Sequence, residues 1–259
     1  MKITTWNVNS LRIRPLRLRH FLETEEPDVL CLQETKAEDH AFPREIFDEL
    51  GYRLEVFGQK TYNGVAIASK QPIEDVQRGF PDDDADGQKR LIAATVGGVR
   101  IIDVYVPNGS SVDSPKFPFK LDWLAQLRQW IADHHEPSQP LLLCGDFNIA
   151  PDDRDVWDPE KWRGKVLFHP KEHAALKEIR DWGLQDAFRI HHEEGGVYSW
   201  WDYRGGAFRF NHGLRIDLIL VTRPLAERCT EVTIHRDTRK VLDGEKPSDH
   251  AAVSAVFSD

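Results

Sequence analysis

The sequence has little of what would place it in several common classes. It holds three cysteines and a single methionine in 259 residues. Cys31, Cys144 and Cys229 form an odd set without Cys-x-x-Cys spacing, and two of them sit inside apolar runs. That pattern argues against a disulfide framework or a cysteine-held zinc and reads as buried thiols. No apolar run approaches the ~18 residues of a membrane helix. The chain opens Met1-Lys2-Ile3-Thr4-Thr5-Trp6, without a basic stretch leading into an apolar one, so a cytoplasmic location with no membrane partner is expected. No Gly/Ser/Pro-rich linker divides the chain, which predicts one domain over residues 1–259.

Excess basic charge is missing too. Lys and Arg number 34 against 43 Asp and Glu, a formal net charge of -9. Taken alone this argues against a polyanionic partner, because non-specific DNA affinity comes largely from cations that neutralise phosphates. Distribution matters more than the total, and carboxylates gathered to hold a divalent cation add acidic residues that the cation offsets. A local basic segment, Arg12-Ile13-Arg14-Pro15-Leu16-Arg17-Leu18-Arg19, reads either as a nucleic-acid patch or as a solvated helix face.

What the sequence does contain is a series of short apolar runs. Val29 to Leu32, Gly64 to Ala68, Leu91 to Val96, Val99 to Val106, Leu141 to Cys144, Ile216 to Val221 and Ala251 to Phe257 read as strands. Gly97-Gly98 between two of them predicts a tight hairpin, so part of the sheet structure is antiparallel. Leu121, Leu124, Leu127 and Ile131 fall at helical spacing, as do Leu176, Ile179 and Trp182 ahead of a capping Gly183. Many strands with few helices predict a two-sheet sandwich with helices outside. The long irregular stretches 107–118 and 149–166 are where function is expected.

Several strand candidates end in polar residues that a core strand does not need: Trp6-Asn7-Val8-Asn9, Leu32-Gln33-Glu34, Tyr105-Val106-Pro107-Asn108, Gly145-Asp146-Phe147-Asn148 and Ser248-Asp249-His250. Each alone reads as a turn or cap. Their recurrence, together with Asp217 inside an apolar run, points to a site. A carboxylate within Ile216-Asp217-Leu218-Ile219 needs solvent or a partner, because burying it unpaired is costly. His250 is the candidate partner, and a carboxylate beside an imidazole fixes its tautomer and favours its charged form.

The strings Thr5-Trp6-Asn7-Val8-Asn9-Ser10, Leu32-Gln33-Glu34-Thr35-Lys36, Tyr105-Val106-Pro107-Asn108-Gly109, Gly145-Asp146-Phe147-Asn148-Ile149-Ala150, Gly213-Leu214-Arg215-Ile216-Asp217 and Ser248-Asp249-His250 resemble the exonuclease III family of apurinic/apyrimidinic endonucleases, in the same order from Lys2 to Phe257. The resemblance implies a four-layered α/β sandwich of the DNase I type, with two mixed β-sheets face to face and helices outside. It also implies divalent-metal-dependent hydrolysis of DNA at abasic sites or at 3′ ends, with duplex DNA as partner and a monomer as the working form. By the same resemblance Glu34 is the metal-binding glutamate, with Asn7, Asn9 and Asp249 around the ion. Hard oxygen ligands suit Mg²⁺, with Mn²⁺ able to substitute. Asp146 orients or deprotonates the attacking water, Asn148 helps hold it, and His250 backed by Asp217 meets the phosphate. Tyr105 lies near the phosphate and leaving oxygen, and Asn108 adds a phosphate contact. Trp200, Leu214 and Ile216 match an apolar wall for a flipped-out baseless sugar. Without the resemblance, Trp200 and Trp201 read as ordinary packing aromatics.

One departure stands out. Where the family usually has a small residue before a Phe-x-Pro-x-Glu-Arg string, this chain has Leu167 before Phe168-His169-Pro170-Lys171-Glu172-His173, which bears on the balance among abasic incision, 3′→5′ exonuclease and 3′-phosphatase activities. Asp82-Asp83-Asp84-Ala85-Asp86-Gly87 opens like a calcium loop but lacks the closing Glu, since Ala93 stands at position twelve, and reads as a solvated loop. His169 and His173 lack the Glu of a zinc-protease motif, and His134-His135 and His191-His192 read as surface residues. Two rival readings remain: another phosphodiesterase of the superfamily acting on lipid or inositol phosphates, and a catalytically silent DNA-binding protein on the same scaffold.

Overall fold

A computed structural model describes residues 1–81, 83 and 87–259. Every apolar run named above becomes a strand, and the strands form two six-stranded sheets. The first has the order β11 (Cys229–His235), β12 (Ala252–Phe257), β1 (Lys2–Asn7), β2 (Val29–Gln33), β4 (Val65–Ser69), β3 (Arg53–Phe57). The second runs β5 (Glu74–Arg78), β6 (Leu91–Val96), β7 (Val99–Tyr105), β8 (Leu141–Asp146), β10 (Asp217–Thr222), β9 (Leu184–Asp186). Both sheets are mixed, with β1–β2 and β7–β8 as their parallel pairs. The Gly97-Gly98 hairpin joins β6 and β7, with Val96 opposite Val99 and both glycines at positive φ (56° and 77°), the backbone that a two-residue turn of the right twist requires.

Alternation along the central strands builds the layers. Val29 and Cys31 face inward with Ile3 and Ile67, against Ile101, Leu142, Cys144 and Ile219 of the other sheet. Leu30 and Leu32 face outward, under Leu18, Phe21 and Leu22 of the helix Pro15–Glu25. On the far side Trp123, Leu124, Leu127, Trp130 and Ile131 of the helix Lys116–His134, with Leu176 and Ile179 of Pro170–Asp181, cover Ile102, Leu143 and Leu220. Strands buried on both faces need apolar residues at every position, which explains their uninterrupted runs. The result is the four-layered α/β sandwich that the resemblance implies, and it agrees with the two-sheet sandwich read from the apolar runs.

The arrangement brings functional residues to one rim. The parallel strands β1 and β2 end side by side, Asn7 opposite Gln33 with Glu34 next. In the other sheet β7 and β8 end at Tyr105 and Asp146, and Asp217 opens β10 opposite Asp146. His250 lies just before β12, where an isolated bridge pairs it with Trp200.

Two of the four arginines in the basic segment fit neither of its two readings, while Arg12 stays exposed. Arg14 and Arg17 are buried. Arg14 donates to Asn9 O, Ser10 O, Pro247 O and Tyr203 Oη, and Arg17 to Lys240 O; they fasten the helix Pro15–Glu25 to neighbouring loops, while Arg19 pairs with Glu23 and Glu49. All three cysteines are free and buried. The acidic stretch from Asp82 lies outside the described residues except for Asp83 and Gly87. Among the described residues no helix is long and apolar enough to cross a membrane.

Candidate active site

The rim is organised around one shared amide. Asn7 Nδ2 donates to Glu34 Oε1 and to Asp146 Oδ2, each at 2.9 Å, while its Oδ1 accepts from Asn9 N. One side chain from β1 therefore spaces two carboxylates carried by different sheets. Asp146 Oδ1 accepts the Asn148 N–H at 2.9 Å, a turn that holds Asn148 at φ 51°. Glu34 and Asn9 also have left-handed backbones, φ 50° and 44°, a conformation that Asn tolerates better than most residues.

His250 completes the group. Its Nδ1 lies 3.0 Å from both oxygens of Asp217, and its Nε2 lies 3.8 Å from Asp146 Oδ2. Asp217 is held in turn by Ser199 Oγ, which accepts its N–H at 3.1 Å. Burial opposes charge on the imidazole, but Asp217 and then Asp146 outweigh it, so His250 is pushed up to about 10 and stands as an imidazolium. Burial raises Asp146 to about 7; the His250 charge works against this rise, and Asp217 and Glu34 add to it.

Among the described residues Glu34, Asp146 and His250 offer ligand atoms within 4.8 Å of one another. With Nδ1 engaged by Asp217, the charged His250 offers Nε2 as a donor, and Glu34 and Asp146 form the hard-oxygen pair. Tyr105 flanks them. Burial first, then Glu34 and Asp146, push its phenol far up, so it stays neutral. Arg90 lies over the Tyr105 ring at 4.6 Å and donates to Tyr105 O at 3.0 Å.

Other expected residues lie around this centre. Asn108 is exposed and donates to Asn148 Oδ1 at 2.8 Å. Asn9 donates to Asp249 Oδ1 at 2.8 Å, and Trp200 Nε1 to Asp249 Oδ2 at 3.0 Å. Asn9 and Asp249 are thus bonded to each other beside the carboxylate pair and lie outside the three-residue group. Trp200, Leu214 and Ile216 do come together, with Ala150, Val156, Phe168 and Leu167. Leu214 and Ile216 are buried behind this wall, and Trp200 is its half-exposed member. Leu167 joins the wall, buried and at φ 76°.

The sequence reading passed over two cations at the rim. Lys36 pairs with Glu34 Oε2 at 2.9 Å and donates to Asn9 Oδ1 at 2.6 Å; its place two residues after Glu34 was the available signal. Arg90 had no local signal. Arg90 lines a groove of about 360 Å³ together with Glu34, Tyr62, Tyr105, Asn108 and Lys116 among others. The histidine pairs do not converge: His173 contacts Ala150 O and His169 caps its helix through Lys171 N.

The Endonuclease/Exonuclease/phosphatase family matches residues 4–250. The chain is 43% identical to exodeoxyribonuclease III of Haemophilus influenzae, over 99% of this chain and 100% of the relative. It superposes with a TM-score of 0.94 and 45% identity on a Neisseria 3′ phosphatase bound to a product DNA hairpin, covering 100% of this chain and 99% of that one. An AP endonuclease from Archaeoglobus fulgidus gives a TM-score of 0.95 and 39% identity, with 100% of each chain covered.

Proposed function

The chain belongs to the Endonuclease/Exonuclease/phosphatase family, in its exonuclease III branch, and from that premise we propose how the rim of its two sheets performs DNA repair chemistry. It is a DNA repair phosphodiesterase of the exonuclease III type, and the family depends on a divalent metal. The observation that carries the residue assignments is the Asn7 amide shared by Glu34 and Asp146, within reach of an imidazolium backed by Asp217.

Glu34 and Asp146 fit a divalent cation: two buried or half-buried carboxylates at one point, Glu34 paired with Lys36 and Asp146 facing His250, with Arg90 nearby. We assign Mg²⁺, with Mn²⁺ as substitute; when bound it supplies Lewis-acid neutralisation of phosphate charge. Asn9 and Asp249 belong to the ion's surroundings. Asp146 orients the attacking water and takes its proton, with Asn148 fixing the water's position. His250 donates from Nε2 to a non-bridging phosphate oxygen, and the neutral Tyr105 phenol donates near the leaving oxygen. Asn108 contacts the phosphate. Fixed donors of this kind are each worth on the order of 10²–10³ in rate. Trp200, with Leu214 and Ile216 behind it, walls the sugar pocket, where a baseless nucleotide flips out cheaply because its stacking is already lost. The working form is a cytoplasmic monomer in which residues 1–259 act as one unit.

Three DNA duplexes test this reading, carrying an abasic site, a 3′ phosphate and an intact recessed 3′ end, beside a lipid phosphodiester. EDTA is expected to stop DNA cleavage and Mg²⁺ to restore it. Turnover indifferent to EDTA, or a preference for the lipid, would overturn it.

Leu167→Gly bears on the product balance. The left-handed backbone costs a leucine about 1–2 kcal/mol that glycine avoids, whereas the lost buried side chain is worth about 1.5–3 kcal/mol. The melting temperature should therefore fall by roughly 2–4 °C per kcal/mol of net loss. Abasic incision should rise relative to 3′-phosphate release as the wall opens. An unchanged product ratio would clear Leu167 of any part in the choice.

A further inference from the structure

Lys120 is fully buried in the helix Lys116–His134, and nothing in the chemistry above uses it. Its ammonium has three N–H donors, and each finds a partner in a loop or helix that borders the site. Nζ donates to Asn148 O at 2.6 Å, to Asn108 O at 3.2 Å and to Glu172 Oε1 at 2.5 Å. Glu172, equally buried, also accepts Leu167 N at Oε1 (3.2 Å) and His169 N at Oε2 (3.0 Å). One ion pair thus joins the main chain of Asn108, Asn148 and Leu167.

Those three segments need holding. Asn148 and Leu167 have left-handed backbones (φ 51° and 76°), and the turn after Asn108 passes through Gly109 and Ser110 at φ 91° and 60°. Such conformations persist only where the surroundings over-determine them. Packing tightens the same point: a Cβ on Gly109 would lie 3.0 Å from Val166 Cγ2 and 3.4 Å from Lys120 Cδ. A buried ion pair is in general no great source of stability. Here nearly all of its hydrogen bonds go to main-chain atoms of site loops, and the two amides it aims bond each other, Asn108 Nδ2 to Asn148 Oδ1.

We propose that Lys120 and Glu172 are positioning residues for this phosphodiesterase, fixing the Asn108 and Asn148 amides at the phosphate and coupling them to the loop that carries Leu167. The inference rests on the reading of the site given above. It predicts that disturbing the pair alters both turnover and the choice of substrate, which a merely stabilising pair would not do.

The test is the double variant Lys120→Met/Glu172→Gln, which leaves no unpaired buried charge, together with Glu172→Gln alone. Both are assayed with Mg²⁺ on the abasic and 3′-phosphate duplexes, at a temperature where circular dichroism shows them folded. The double variant should lose on the order of 10²-fold in kcat, the scale of a small misplacement of positioning groups, with KM little changed. Glu172→Gln should lose less kcat but shift the ratio of abasic incision to 3′-phosphate release. Wild-type kcat and ratio in a folded double variant would overturn the proposal. So would activity losses that merely track the unfolded fraction. Should the double variant not fold, wild-type kcat and ratio in Glu172→Gln overturn it alone. If the wild-type protein itself is idle on DNA with Mg²⁺, the functional reading fails first, and that outcome is visible in the control.

Discussion

Asp146→Asn is expected to lower kcat on an abasic duplex by about 10²–10⁴-fold, the contribution of a positioned general base, while raising the melting temperature of the metal-free protein. The two effects have one origin. Burial raises Asp146 to about 7, partly countered by His250 and increased by Asp217 and Glu34. A carboxyl whose folded value lies above its ordinary 3.8 binds its proton more tightly in the native state. Stability through this group therefore falls as pH rises from about 4 to about 7, and above that the fold carries an ionised carboxylate at a cost. Asparagine removes the charge and forfeits one of the bonds to Asn7 and Asn148, about 1 kcal/mol. With Mg²⁺ the order should reverse: binding at 100 times Kd stabilises the wild type by about 2.7 kcal/mol, and the variant, short of one carboxylate, gains less. Melting curves at neutral pH with chelator and with Mg²⁺ measure both. A variant less stable than wild type in chelator would remove the electrostatic account, and full activity would remove Asp146 from catalysis.

The same electrostatics explain why a chain of net charge -9 can act on a polyanion. Part of the acidic excess is gathered where strand ends converge, and there Glu34, Asp146 and Asp217 are met by His250 and Lys36, with Arg90 nearby. A bound divalent ion converts that point from repelling a phosphate to attracting it.

How much of this was legible in the sequence follows from where each residue sits. The central strands were readable because burial on both faces forces long apolar runs. β3, β5, β9 and β11 were not foreseen, and they are the four edges of the two sheets. An edge strand such as Glu74–Arg78, with exposed and half-buried positions throughout, needs no apolar run. The site was readable where polar residues terminate core strands, as at Asn7, Glu34, Tyr105 and Asp146. It was not readable where a functional contact uses main chain. Lys120 lies among apolar helix positions and Glu172 beside a capping histidine, and in one dimension each looks like a solvated charge. Arg14 and Arg17 fit neither reading of the basic run, a phosphate patch or a solvated helix face: they are buried and bond carbonyls of neighbouring loops. Leu214 and Ile216 are as apolar as any core residue, so only resemblance marked them.

Asp217→Asn should reshape the pH dependence and not only lower the rate. His250 rises to about 10 because Asp217, and after it Asp146, overcome a burial that disfavours charge. With a folded value above the ordinary 6.5, the imidazolium's contribution to stability is complete below about 6.5 and disappears as pH climbs toward about 10. Across that window Nε2 carries a proton to offer a phosphate oxygen. Asparagine keeps a hydrogen-bond acceptor for Nδ1 but removes the strongest attraction, so burial draws the imidazole's titration down toward neutrality. At about pH 6 the variant should retain most of its turnover; at about pH 8.5 it should lose on the order of 10²–10³-fold as a charged donor to the phosphate disappears. Nitrogen chemical shifts of His250 followed through a pH titration give the protonation state directly, and kcat measured with Mg²⁺ across the same range gives its consequence. A variant whose rate profile runs parallel to wild type would mean that Asp217 orients the ring without setting its charge. The imidazolium would then owe its proton to Asp146 and, after it, Asp249, and Asp146→Asn would become the substitution that moves the alkaline limb.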